Sequence, residues 1–180
     1  MTSSMYRAVM GEAFNRLAAP VQQFHTFAGH HEFQGEVQVG APVTRLAKLL
    51  AVLLGAPLKP AQGSIRFELL AEPGTETWTR IFPGKTMRST LTKTDNYVTE
   101  RLGAARLTFA LLERDEALEM RLEKMWFFGV PCPGWLMPQV GARETGEDSK
   151  LHFQIQASVP VVGLVTSYVG HLDMPSKEIQ

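Results

Sequence analysis

The stretches Ser64-Ile-Arg-Phe-Glu-Leu-Leu70 and Ala117-Leu-Glu-Met-Arg-Leu-Glu123 decide the fold. In both, apolar side chains recur at every second position with charged ones between them. Residues two apart share one face of a β-strand, so each stretch reads as a strand with one face on a core and one in water. The same period continues in Trp78, Arg80 and Phe82, in Met87, Ser89 and Leu91, in Val98, Glu100 and Leu102, and in Leu107, Phe109 and Leu111. It returns from Leu151 to Val159 and from Leu164 to Leu172. Pro73-Gly74, Pro83-Gly84, Asp95-Asn96, Gly103 and Asp115-Glu116 punctuate the runs as turns. Strands joined by such short turns pair antiparallel. The pattern therefore predicts an α+β, β-rich chain: an antiparallel meander of about eight strands, forming a curved sheet or barrel of lipocalin-like or helix-grip-like shape.

Ahead of this run the period is near 3.6. Ser3 or Ser4 is placed to cap a single amphipathic helix bearing Tyr6, Val9, Met10, Ala13, Phe14 and Leu17 and ending before Pro20. Val21, Phe24 and His25 suggest a further helical turn. A strand reads from Glu32 to Val39, with Gly35 as a bulge. A second helix starts at Pro42 and closes at Gly55. Its Leu49 and Val52 widen the apolar face, which predicts burial on more than one side. The reading is a single domain, 1–180, with a helical part over 4–55 and a sheet over 32–39 and 64–173.

The chain has 180 residues, with 18 basic and 18 acidic side chains and a formal net charge of zero. A chain of this length hides about 70% of its extended surface on folding, enough for a core without metals or disulfides. Net neutrality, with no Lys/Arg cluster in the sequence, argues against a general nucleic-acid binder. No secretory leader is evident at the start, and the lone Cys132 can form no internal disulfide, so a cytoplasmic location is expected. The longest apolar segment, Leu46 to Leu58, is interrupted by Lys48, Gly55 and Pro57 and falls short of the roughly 20 residues of a membrane span, so no transmembrane segment is expected.

Motifs that would announce chemistry are missing: there is no GxGxxG, GxxxxGK[ST], HExxH, GxSxG or CxxC. Adjacent His30 and His31 would point to opposite faces of extended chain and read as a solvated loop, so no metal site is assigned. Cys132, between Pro131 and Pro133, reads as an inert thiol. His25 reads as a helix-end or packing histidine with no carboxylate near it in sequence, and Glu144, beside Arg143, as solvated. Arg80 and Glu100 are more informative because both fall on an apolar phase. If those rows face inward, the two are semi-buried charges that need each other or a ligand, for instance an anionic head group on Arg80. If Ile81 marks the inner face, Arg80 lies outside. Tyr168 poses the same question with a phenol, a core tyrosine with a satisfied hydroxyl being the plainer reading.

Eighteen residues from Met125 to Ala142 carry no charge but include three prolines and two tryptophans. Proline spacing forbids a regular helix or a central strand through most of the segment. It is expected either to fold over the sheet as a lid or to present an apolar patch to a partner.

The order of Tyr6-x4-Gly11-x2-Phe14, Phe24-His25, Gly35 with Val39, Leu53-Leu54-Gly55-x-Pro57, Trp78-x-Arg80-x-Phe82 and Glu100-x-x-Gly103 resembles a bacterial family, domain of unknown function 4166. Gly129-x-Pro131-x-Pro133, Pro138, Glu144, Pro160-x-x-Gly163-Leu164 and Tyr168-x-Gly170-x-Leu172 extend the resemblance to nearly the whole chain. It departs at His171, where an aromatic is expected, and at Gly40-Ala41-Pro42. Members stand alone or follow saccharopine-dehydrogenase-like oxidoreductases, so the resemblance implies work alongside a redox or metabolic enzyme and no established activity.

Three functions stay open. One is a module binding a small apolar or amphipathic molecule within the curved sheet through Trp78, Arg80, Glu100, Tyr168 and Trp135, with no cofactor. Another is an enzyme using acid–base groups of the same pocket, such as His25 or Glu144. The last is an interaction protein that offers the 125–142 loop to a partner or a second copy.

Overall fold

The structure, a computed structural model, describes residues 4–175. Three short helical pieces open it: α1 (Met5–Met10), a 3-10 stretch (Gly11–Arg16) and α2 (Ala19–Phe24). The single first helix expected from periodicity is thus broken at Gly11, whose φ of 57° lies outside the helical region. Ser4 caps α1, its hydroxyl accepting from the Arg7 amide at 3.1 Å; Ser3 lies outside the described residues. Pro20 sits in the first turn of α2, where its missing N–H costs nothing.

The sheet begins with β1 (Gly29–Gly40), three residues ahead of its predicted start. Then comes α3 (Arg45–Leu54), capped by Thr44 rather than begun at Pro42 and ended by left-handed Gly55. Nine strands follow to close a ring with β1: β2 (Ala61–Glu72), β3 (Thr75–Phe82), β4 (Lys85–Thr94), β5 (Tyr97–Leu102), β6 (Ala105–Arg114), β7 (Ala117–Phe127), β9 (Gln139–Glu147), β10 (Lys150–Val159) and β11 (Gly163–Asp173). The two-residue β8 (Val130–Pro131) pairs only with the end of β7. Pairing runs β6-β5-β4-β3-β2-β1-β11-β10-β9-β7, and β6 also pairs with β7, so ten antiparallel strands form a closed barrel. Closure removes the sheet edges that would otherwise template aggregation.

Two of the extra strands come from the segment read as irregular. Pro138 ends the Pro-rich stretch, and β9 then pairs with β10 from Gln139 onward. Gly35 is no bulge: its register with Ile65 on β2 and Leu172 on β11 is regular. A Cβ there would stand 1.8 Å from the His171 carbonyl oxygen, so glycine is required by the close approach of β11.

The helices divide between the two ends. The first three pieces cover the end holding the β2–β3, β4–β5, β6–β7 and β9–β10 turns. Ala18 donates its amide to the Glu116 carbonyl at 2.7 Å, Arg16 pairs with Glu113 at 2.8 Å, and Phe14, Val21 and Phe24 are fully buried. At the other end, α3 connects β1 to β2 and packs through Ala47 and Ala51. Its Leu46, Leu49 and Val52 are 52%, 53% and 56% exposed, so the expectation of burial on more than one side fails. No helix of the described residues is long and apolar enough to cross a membrane.

Candidate functional site

The alternation that builds the sheet also fills its lumen. On β3 the buried row is Glu76, Trp78, Arg80 and Phe82; on β4 it is Met87, Ser89 and Leu91. Arg80 and Glu100 therefore face inward, 6% and 9% exposed, and Ile81 does not mark the inner face. Their guanidinium and carboxylate meet at 3.4 Å, and Arg80 also donates to the Ser89 hydroxyl at 3.0 Å. Its guanidinium carbon lies 5.0 Å from the Trp78 ring centroid and 5.8 Å from that of Phe67. Burial works against the charge of Arg80, but Tyr168, Glu100 and the hydrogen bond to Glu100 outweigh it and move its pKa up. The guanidinium is thus engaged by protein groups, which weakens the expectation that it holds an anionic head group.

The second polar pair could not be read locally. His25, at the C-terminal end of α2, meets Glu144 of β9, with Nε2 to Oε2 at 2.7 Å and 119 positions between them. Both are buried, so Glu144 is not the solvated side chain its neighbour Arg143 suggested. Tyr6 stacks on the His25 imidazole with centroids 3.7 Å apart. Close by, Glu76 accepts from Trp78 Nε1 at 2.8 Å. Burial raises the pKa of Glu76 above the ordinary carboxylate value, with His25 and the Trp78 hydrogen bond pulling the other way. Burial, and then the charges of Glu76, Glu144 and Glu100, hold the Tyr6 phenol well above its usual value. Extending the β3 row one step back from Trp78 would have exposed Glu76 in the sequence. Nothing local could have paired His25 with Glu144.

Several of these groups line a cavity of about 220 Å³. Its wall includes Trp78, Arg80, Glu100, Glu144, Thr166 and Tyr168 among apolar side chains such as Phe67, Leu107, Phe109 and Phe153. Leu50 and Leu54 of α3 line it at the far end, with Cys132, Leu136 and Pro138 of the charge-free segment. That segment therefore contributes to the wall, while Trp135 on its 3-10 turn is 74% exposed and does not line the cavity. Burial raises the Cys132 thiol pKa, in keeping with an inert side chain. Three buried polar atoms, Tyr6 Oη, His25 Nδ1 and Thr166 Oγ1, have no hydrogen-bond partner among the described residues. Tyr168 packs against Phe82 and Phe153, and its hydroxyl likewise makes no hydrogen bond there, so the satisfied core tyrosine is not what is found.

His30 and His31 open β1 instead of lying in a loop; the His31 ring bonds to the Ala28 carbonyl at 2.9 Å and packs on Phe27. No group of three or more His, Cys, Asp or Glu side chains among the described residues is arranged to hold a metal.

With this geometry in place, comparison with known proteins supplies a family. Residues 17–172 match the model of a family described as Domain of unknown function (DUF4166). The chain belongs to this family. The DUF4166 match spans all ten barrel strands and both polar pairs. No curated protein matches the chain. Among solved structures, the crystal structure of Rv2717c from M. tuberculosis is similar, with 11% identity and a TM-score of 0.47 over 89% of this chain and 99% of that one.

Proposed function

We propose that this DUF4166 barrel binds a small, largely apolar molecule, inserted with its polar end toward the end closed by α1 and α2. The observation that carries the reading is the cavity itself, apolar over most of its wall and polar at Arg80, Glu100, Glu144, Thr166 and Tyr168. At the polar part of the wall stand two buried carboxylates, Glu100 and Glu144, and one guanidinium, Arg80, which Glu100 and Ser89 already engage. This favours a ligand end that is uncharged and hydrogen-bonding over a carboxylate or phosphate. The unpartnered hydroxyl of Thr166 is a natural contact for it, because a buried polar atom without a partner costs roughly 1–3 kcal/mol.

Native mass spectrometry of the purified protein, set against its denatured mass, tests this by showing a releasable small-molecule surplus. Titration with Nile red, an uncharged apolar fluorophore, adds a second readout, expected to saturate at one equivalent and to fail in the cavity-filling variant Leu107→Trp. No surplus together with no saturable probe binding would reject the proposal.

A second reading, acid–base chemistry on the bound molecule, is favoured by the His25 to Glu144 contact at 2.7 Å, because the cavity wall includes the carboxylate. If it holds, a ligand released from wild type changes mass during incubation, and one held by Glu144→Gln does not. Identical ligand masses from both proteins would leave binding alone.

A further inference from the structure

The zero net charge of this chain hides a separation that only the topology shows. Strand direction places α3, the β3–β4 and β5–β6 turns, residues 128–138 and the β10–β11 turn at one end of the barrel. Among the described residues, the ionisable side chains exposed at that end are basic, including Arg45 and Lys48 on α3, Lys59 after it, Lys85 opening β4 and Arg106 opening β6. None of these has a carboxylate partner among the described residues, and from Val37 to Phe67 the sequence contains no acidic residue at all. The opposite end carries exposed Glu72, Asp95, Asp115, Glu116, Glu147 and Asp148 in its turns.

Apolar exposure is concentrated at the same basic end. α3 turns Leu46, Leu49 and Val52 to solvent, with Val43 just before its cap. Backbone and side-chain bonds tie the other exposed segments to it. Thr44 donates its hydroxyl to the Val162 carbonyl at 2.8 Å, next to Val161, which is 98% exposed. Ala104 donates its amide to the Leu53 carbonyl at 3.0 Å and accepts from the amide of exposed Phe128 at 2.9 Å. Exposed Val130 and Trp135 follow on the same segment. Apolar side chains among unpaired cations match the interfacial layer of a bilayer with anionic lipid, where the first insert and the second meet head groups. A nucleic acid would satisfy the cations and leave the leucines and valines in water.

From this juxtaposition we propose that the α3 end docks on the surface of an anionic lipid bilayer. The inner face of α3 supplies Leu50 and Leu54 to the cavity wall, so docking sets the cavity beside the hydrocarbon from which an apolar ligand would enter. That route rests on the binding proposed above; the docking does not.

Flotation of the full chain with vesicles tests it. With phosphatidylcholine containing about a quarter phosphatidylglycerol the protein should float, with phosphatidylcholine alone it should not, and high salt should release it. Leu46→Glu with Leu49→Glu alters two exposed side chains and should lower the bound fraction about tenfold, with an unchanged circular dichroism spectrum. Lys48→Glu should lower it about fivefold or more. Failure to float with anionic vesicles at low salt, or flotation that the double variant leaves unchanged, overturns the docking. A dimer in light scattering that the double variant dissolves, without flotation, would assign the face to a second copy and also overturn it. The probe titration in vesicle-free solution reads the cavity separately, so a protein that takes the probe but ignores vesicles refutes docking alone.

Discussion

The two ends of the barrel obey opposite rules. At the closed end, Phe14, Val21, Phe24 and Tyr6 are fully buried, His25 meets Glu144 in the interior, and the surrounding turns carry charges of both signs with the acidic ones in excess. At the α3 end, leucines and valines face water and the unpaired charges are basic. A folding core would not leave these residues exposed, because each exposed Leu or Val forgoes about 1.5–3 kcal/mol of burial. The contrast teaches that hydrophobic residues at the closed end hold the fold, and those at the α3 end are free for another task.

The contrast can be broken most forcefully at the closed end. Phe24→Ala should destabilise the protein by about 3–5 kcal/mol in chemical denaturation, since it empties a site packed on Phe33, Phe67 and Trp78. A comparable loss, about 3–5 kcal/mol, is expected from Arg80→Met, which strands the buried Glu100 carboxylate; adding Glu100→Leu should recover most of it. Less recovery would mean that Arg80 acts mainly through packing on Trp78 and Phe67.

A smaller effect of opposite sign is expected at Glu76. Its pKa is raised by burial, so between the ordinary carboxylate value and the raised one the folded protein binds more proton at Glu76 than the unfolded chain does. Stability from this group is therefore greatest below the ordinary carboxylate pKa and declines as pH rises through the elevated value. Glu76→Gln, which cannot ionise, should gain about 0.5–2 kcal/mol at neutral pH. The gain should shrink toward acid pH in a series of denaturation curves. A gain independent of pH would place its origin outside the ionisation.

Smallest of all, Trp135→Ala and Val161→Ala should leave the denaturation midpoint within about 0.5 kcal/mol of wild type, as expected where exposed side chains touch little. A large loss from either would show that the α3 end contributes to the core and would erase the contrast.

Much of the barrel was legible because period 2 is a local signal: the β2 to β7 meander and the last two strands read directly from alternating residues and turn dipeptides. β9 was not, because Gly141, Arg143 and Glu144 interrupt the alternation and the strand is defined by its pairing with β10. Half of the site was legible for the same reason. Arg80, Glu100, Trp78 and Tyr168 fall on one strand phase with apolar neighbours, whereas the charge-free surroundings of Trp135 predict exposure as well as enclosure.

The amino-acid sequence by itself determined the class of fold, the apolar phase on which Arg80 and Glu100 fall and the resemblance to the DUF4166 family, since each depends on neighbours in the chain. Tertiary structure alone decided that the meander closes, that Arg80 and Glu100 face inward, that His25 meets Glu144, and that one end of an electrically neutral chain exposes unpaired basic side chains among apolar ones. Charge counts are blind to direction, and it is the alternation of up and down strands that sends successive turns, with their different charges, to opposite ends.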